Sequence, residues 1–251
     1  MLKAIDTIVK VDGLTKTFGR FRAVDDVAFE VRRGEMVGLV GPNGAGKTTI
    51  IHTLLGLITP DAGRASLFGE DLFSARSRLL QKVNFTSPYV NFPNRLTVTE
   101  NLRIYARLYG VASASQKIVE LLATFRLSAL ADRVVSRLSS GEVTRMALCK
   151  AFLSQPDLLL LDEPTAYMDP FAARQTRATL VDMQQQRGVT ILFTSHNMRD
   201  VQEICDRVIL LDRGRIVASG SAIDITRTVL QEDREAAALD EVFLHLAGRS
   251  S

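Results

Sequence analysis

The sequence predicts an α/β fold: a largely parallel sheet with crossover helices, interrupted by an inserted helical block. Three observations predict it. Residues 41–48 read Gly41-Pro42-Asn43-Gly44-Ala45-Gly46-Lys47-Thr48, between an apolar run from Met36 to Val40 and a helix-like run from Thr49 to Leu57. Leu158 to Leu161 is a short, fully apolar run, as expected of a strand buried on both faces. Strand-like and helix-like segments alternate on either side of a stretch, 97–154, whose apolar residues recur at three- and four-residue spacing.

Taken in order, Ile8 to Leu14 and Val27 to Val31 read as short strands, with a turn at Gly19-Arg20 between them. Gly34-Glu35 turns into the strand Met36 to Val40, and Pro60-Asp61-Ala62-Gly63 marks the turn after the first helix. Ala65 to Phe68 is strand-like, Arg76 to Gln81 helical and Val83 to Thr86 strand-like. Beyond the helical stretch, Phe171 to Arg187 is helical and Val189 to Phe193 is β-branched and buried in character. Met198 to Cys205 is helical, and Val208 to Leu211 with Ile216 to Ala218 forms a hairpin around Arg213-Gly214. Asp233 to Leu246 reads as a closing surface helix. The chain is read as one domain over 1–251, with residues 88–150 as a helical subdomain within it.

Composition narrows the class. Apolar residues make up 46% and charged residues 24%, ordinary for a soluble globular protein. No apolar stretch approaches the roughly 20 residues that span a bilayer, and no secretion signal is read at Met1 to Lys10. The net charge of +3 is too mild to argue for a nucleic-acid partner, and none is expected. Cys149 and Cys205 lie far apart without metal-ligand spacing and read as buried free thiols.

The chemistry begins at 41–48, which has the G-x-x-x-x-G-K-[ST] pattern of a phosphate-binding loop. Its glycines let backbone N–H groups turn inward onto phosphate oxygens. Lys47 reaches the β- and γ-phosphates, the Thr48 hydroxyl can ligate Mg²⁺, and the following helix offers its positive end to the anion. Asp162-Glu163 stands at the C-terminal end of the Leu158–Leu161 strand, where α/β sheets place ligands. The first acid suits Mg²⁺ and the second suits a general base for water. His196 ends the next strand and is read as a γ-phosphate or water contact, whereas His52 and His245 are read as structural. Leu138-Ser139-Ser140-Gly141-Glu142 opens a helix; alone it is no more than a helix cap, but with Asp162-Glu163 about twenty residues later it is a second anion cradle.

These elements occur in a fixed order: the loop at 41–48, Leu138–Glu142, Asp162-Glu163, Ala166-Tyr167-Met168-Asp169 and His196. With them the chain resembles the nucleotide-binding subunit of an ATP-binding cassette (ABC) transporter over residues 8–248. The resemblance implies an α/β P-loop NTPase fold of the ABC ATPase type, with a mixed-sheet core, an antiparallel β subdomain and the inserted α-helical subdomain. It implies ATP and Mg²⁺ as cofactors. Gly41, Pro42, Asn43, Gly44, Ala45, Gly46, Lys47, Thr48 and Thr49 would cradle ATP, Phe18 would stack on adenine, and Glu163 and His196 would be catalytic. Thr48, Asp162 and Ser87 would serve the metal. Ser139 and Gly141 would contact ATP held by a second subunit, and Asp169 would couple the two sites.

The implied assembly is a homodimer, or a pair with a second nucleotide-binding subunit, docked near residues 86–110 on a separate transmembrane permease. The chain would then be cytoplasmic and peripheral on the inner face of the cell membrane, an ATPase powering translocation. Leu239 to Leu246 resembles the closing helix of subunits serving drug-, polysaccharide- and lipid-type exporters, which favours export over import. Three positions depart from the family pattern. Ser140 stands where glycine is commonest and Glu142 where glutamine is commonest. Asn84-Phe85-Thr86-Ser87-Pro88-Tyr89 replaces the stretch that usually carries a glutamine; Ser87 is the best alignment, with Thr86 and Pro88 as alternatives.

Overall fold

The computed structural model describes residues 6–88, 90–195 and 197–248. A long hairpin, β1 (Thr7–Phe18) and β2 (Phe21–Arg32), precedes β3 (Met36–Val40) and α1 (Lys47–Leu54). Next come β4 (Ala62–Leu67), β5 (Glu70–Asp71), α2 (Arg76–Leu79) and β6 (Val83–Thr86). Three helices follow, α3 (Val98–Leu108), α4 (Ala114–Thr124) and α5 (Ser140–Phe152), before β7 (Leu158–Asp162). The chain continues through α6 (Pro170–Arg187), β8 (Thr190–Ser195), α7 (Met198–Ile204), β9 (Arg207–Asp212) and β10 (Arg215–Gly220). It closes with α8 (Ala222–Leu230) and α9 (Leu239–Gly248).

Two sheets result. One is antiparallel, in the order β2-β1-β4-β5; the other is mixed, in the order β10-β9-β3-β8-β7-β6, parallel except for the β9–β10 hairpin. The leucine run explains how they stack. Successive side chains of a strand point to opposite faces. Leu158 and Leu160 therefore join the core shared with the antiparallel sheet and α1, while Leu159 and Leu161 join the core shared with α3, α4 and α5. A strand covered on both faces has no polar side to alternate with. Parallel pairing then brings the C-terminal ends of β3, β7 and β8 side by side, with Val40 opposite Ser195 and Asp162 opposite Thr194.

The structure adjusts several boundaries. The first two strands run longer than their apolar cores, because their outer halves pair with each other in solvent-exposed backbone ladders. The helical stretch 97–154 divides at 109–113 and again between 125 and 139, where Gly110 and two 3₁₀ turns interrupt it. The closing helix starts at Leu239, and α8 is an element that the periodicity over 233–246 does not reveal. Its signal is local: Ser221 accepts from Asp224 N–H while Asp224 reaches back to the Ser221 N–H, a reciprocal cap. Both cysteines are free; Cys149 is buried, with its thiol against the Leu121 carbonyl, and Cys205 is partly covered. Burial pushes both thiols up from their ordinary pKa.

Candidate functional site

The strand ends open onto a groove of about 1150 Å³ lined by Pro42 to Thr49, Asp162, Glu163 and residues 165–168. Two glycines shape its floor. At Gly41 (φ +154°) a Cβ would lie 2.2 Å from the Leu211 carbonyl oxygen, and at Gly46 (φ +105°) 2.5 Å from that of Ala23. The spacing of the motif therefore reflects packing as well as curvature: the loop is wedged between β9 and β2, leaving room for backbone alone at both places. Lys47 is buried, and its Nζ donates to the carbonyls of Gly41 (2.6 Å) and Pro42 (3.0 Å). Burial lowers its pKa, while the charges of Glu163 and Asp162 act in the opposite direction. Thr48, at the start of α1, is exposed to the groove.

The acids are held by β8. Thr194, fully buried, donates its hydroxyl to Asp162 Oδ1 at 2.5 Å, and its carbonyl accepts the Glu163 N–H at 3.1 Å. Glu163 itself takes a left-handed backbone (φ +50°), a conformation that costs a residue with a Cβ and is kept where surrounding structure enforces it. Beyond it, Thr165 donates to Asp200, which also accepts from Arg177 (2.6 Å); Arg177 in turn donates to Glu203 (2.8 Å). All four residues line the groove. Sequence reasoning missed Thr194, Thr165, Arg177 and Asp200, because each acts through a partner on another element and none belongs to a local motif.

Ser139 and Gly141 lie outside this groove, at the exposed start of α5. Ser139 caps that helix, accepting from Glu142 N–H (3.3 Å), and Glu142 Oε2 accepts the Ser139 N–H (2.7 Å). Glu142 thus completes a capping box, as a glutamine there would, and adds negative charge at the helix N-terminus. Ser140 has its own partner: its hydroxyl donates to the Tyr167 carbonyl at 3.1 Å, tying the start of α5 to the segment 166–169. Asp169 caps α6, its Oδ1 accepting from Phe171 and Ala172 N–H at 3.0 Å each.

Two expected contacts are not brought to the groove. Phe18 is 48% exposed beside Lys16 and does not line it; Phe21, its partner across the hairpin, does. Ser87 is likewise absent from the wall, where Pro88 stands instead. Proline has neither an N–H nor a polar side chain, so this position offers the groove no side-chain ligand. Thr86, the other alternative, belongs to β6 and is buried with its hydroxyl unpaired. His196 lies outside the described residues. None of the described helices is long and apolar enough to cross a membrane.

Comparison with known proteins agrees with this arrangement. Residues 24–166, more than half of the chain, match the family model described as ABC transporter. The chain is 35% identical over 243 residues to the "Probable multidrug ABC transporter ATP-binding protein YbhF" of Escherichia coli K12, covering 96% of this chain and 42% of that protein. It is 38% identical over 215 residues to the "Nod factor export ATP-binding protein I" of Ralstonia nicotianae, covering 85% of this chain and 67% of that one. Against the "Doxorubicin resistance ATP-binding protein DrrA" of Mycobacterium tuberculosis the identity is 37%, over 88% of this chain and 67% of the other. The chain thus spans less than half of the first relative and about two thirds of the others. A solved "ATP binding subunit of ABC transporter" superposes with a TM-score of 0.84 at 31% identity, over 96% of this chain and 100% of that chain. The phosphate loop, the paired acids and these likenesses together make the chain a member of the ABC transporter family.

Proposed function

We propose that the chain binds ATP in the groove, hydrolyses it, and powers export through a separate transmembrane permease at the inner face of the cell membrane. The observation that carries the reading is one juxtaposition: Lys47, Thr48, Asp162 and Glu163 line a single groove. The polyphosphate would lie along 41–49 on loop N–H groups and the N-terminus of α1. Lys47 is preset for it, since its ammonium already rests on loop carbonyls and a phosphate oxygen offers a better partner. Glu163 would orient a water molecule against the γ-phosphorus and take its proton as the bond to the β-phosphate oxygen breaks.

The donor set fits Mg²⁺. Thr48 and Asp162 supply hard oxygen ligands, and such a site keeps waters and phosphate oxygens for its remaining positions. When bound, the ion would neutralise charge on the β- and γ-phosphates. Phe21, which lines the groove, would offer its aromatic face to adenine in the role expected of Phe18, its partner across the hairpin. Ser139, exposed and outside the groove of its own chain, suits ATP held by a second copy in a head-to-tail pair. A cassette of similar fold, 23% identical, is described as dimeric with ADP and Pi bound. The export direction is drawn from relatives named for a multidrug ABC transporter, Nod factor export and doxorubicin resistance.

Calorimetric titration and a phosphate-release assay test the core of this reading. Wild-type chain should bind Mg–ATP and turn it over, and Lys47→Ala should lose most of the affinity. Undiminished affinity in that variant would remove the loop from the site. Co-purification of the chain with a multi-span permease from detergent-solubilised membranes tests the transport half.

A further inference from the structure

Lys150 lies on α5, roughly two and a half turns beyond Gly141. It is only 9% exposed, and no carboxylate among the described residues pairs with it. Its Nζ donates to the Phe85 carbonyl at 3.0 Å and sits 5.6 Å from the centroid of the Tyr105 ring. Burial alone lowers its pKa, with no neighbouring charge to restore it. An unpaired buried cation is costly, and a methionine of similar length would fill the space without that penalty. A lysine at this position therefore points to a use for its directed N–H donors.

Its contacts indicate the use. Phe85 is in β6, which leads through Thr86 and Ser87 to Pro88 on the groove wall. Tyr105 is on α3, packed edge-on against Phe92 (5.8 Å) and beside Tyr109 (6.1 Å). One ammonium thus joins the helix that starts at Ser139 and Gly141, the strand that feeds the groove wall, and a second helix of the same block. The loop at 87–88 has no long polar side chain to make that connection, so a backbone carbonyl is the available handle.

Resting on the proposed ATP hydrolysis, we infer that Lys150 is a positioning residue that couples the Ser139–Gly141 end of α5 to the groove wall at Pro88 through the Phe85 carbonyl. The test uses the full chain with Lys150→Met and Lys150→Arg, reading kcat, KM, ATP affinity by calorimetry and the thermal midpoint. Lys150→Met should lower kcat about tenfold, because displaced groups lose rate before they lose binding. Its KM and ATP affinity should stay within about twofold of wild type, since neither is set by an interaction made only on the way to reaction. The thermal midpoint should hold or rise, and Lys150→Arg should recover most of kcat. Unchanged kcat in Lys150→Met would overturn the inference. So would a joint fall of kcat, affinity and midpoint that Arg does not relieve, which would make Lys150 a packing residue. A wild-type chain that fails to hydrolyse ATP would strike the proposed function first, and this inference with it.

Discussion

Asp200 and Arg177 form an ion pair, Oδ1 to Nη1 at 2.6 Å, whose side chains are 2% and 10% exposed. It joins α7 to α6 at the groove wall, and through Thr165 it holds the chain just after Glu163. Removing Asp200 leaves the buried Arg177 with only the half-exposed Glu203 as counterion, whereas replacing both partners with apolar side chains leaves no charge buried there. Asp200→Ala should destabilise the fold by about 3 kcal/mol. The double variant Asp200→Leu, Arg177→Met should recover much of that loss. Denaturant unfolding of the wild type, both single variants and the double variant checks this; strict additivity would mean the pair carries no coupling.

Thr194 makes a different connection. Its hydroxyl fixes Asp162 and its carbonyl fixes the backbone of Glu163, so one residue of β8 sets both acids of β7. Thr194→Val keeps the shape and the carbonyl but deletes the donor. Stability should fall by about 1–3 kcal/mol, since a hydroxyl bond to a charged carboxylate is lost. Asp162 would lose its orientation, and the Mg²⁺ concentration needed for half-maximal hydrolysis should rise several-fold. An unchanged Mg²⁺ dependence would show that Thr194 serves the fold alone.

The contrast between these residues and the phosphate loop explains what the sequence makes legible. The loop at 41–48 is a local pattern, and the run Leu158–Leu161 declares its two-sided burial through composition alone. Thr194, Asp200 and Arg177 act across strands and helices, where partner identity depends on register that no short motif records. Ser139, Ser140 and Glu142 fall between: the capping box is readable locally, while the Ser140 bond to Tyr167 is not. Phe18 and Phe21 illustrate a third limit. They flank one turn and are paired across it, and only the fold distinguishes which one faces the groove.

The two reasons for glycine in the loop can be separated. Gly44 has a left-handed backbone (φ +80°) but open space where a Cβ would go, whereas Gly46 combines φ +105° with a carbonyl oxygen 2.5 Å away. Gly44→Ala should therefore cost only the conformational penalty, about 1–2 kcal/mol, and keep measurable ATP affinity. Gly46→Ala must also push β2 away from the loop, and should lose both stability and nucleotide binding. Thermal unfolding and calorimetry on the two variants distinguish them; equal losses would mean the Ala23 carbonyl yields freely.

Glu163→Gln tests the chemistry most directly. The amide keeps the size of the side chain and loses the basic oxygen that would accept a proton from water. The left-handed backbone at 163 and the bond from its N–H to Thr194 should survive, because neither involves the carboxylate. ATP affinity should therefore stay near wild type while steady-state turnover falls by about 10²–10⁴, the usual range for a lost general base. If two copies close over two nucleotides, ATP that is bound but not cleaved should hold them together, and size-exclusion chromatography with Mg–ATP should show a dimer that the wild type does not accumulate. Turnover unchanged in Glu163→Gln would remove this residue from the base role. Turnover lost with no ATP-stabilised dimer would separate the base from the pairing, and would place Ser139 and Gly141 outside the working site.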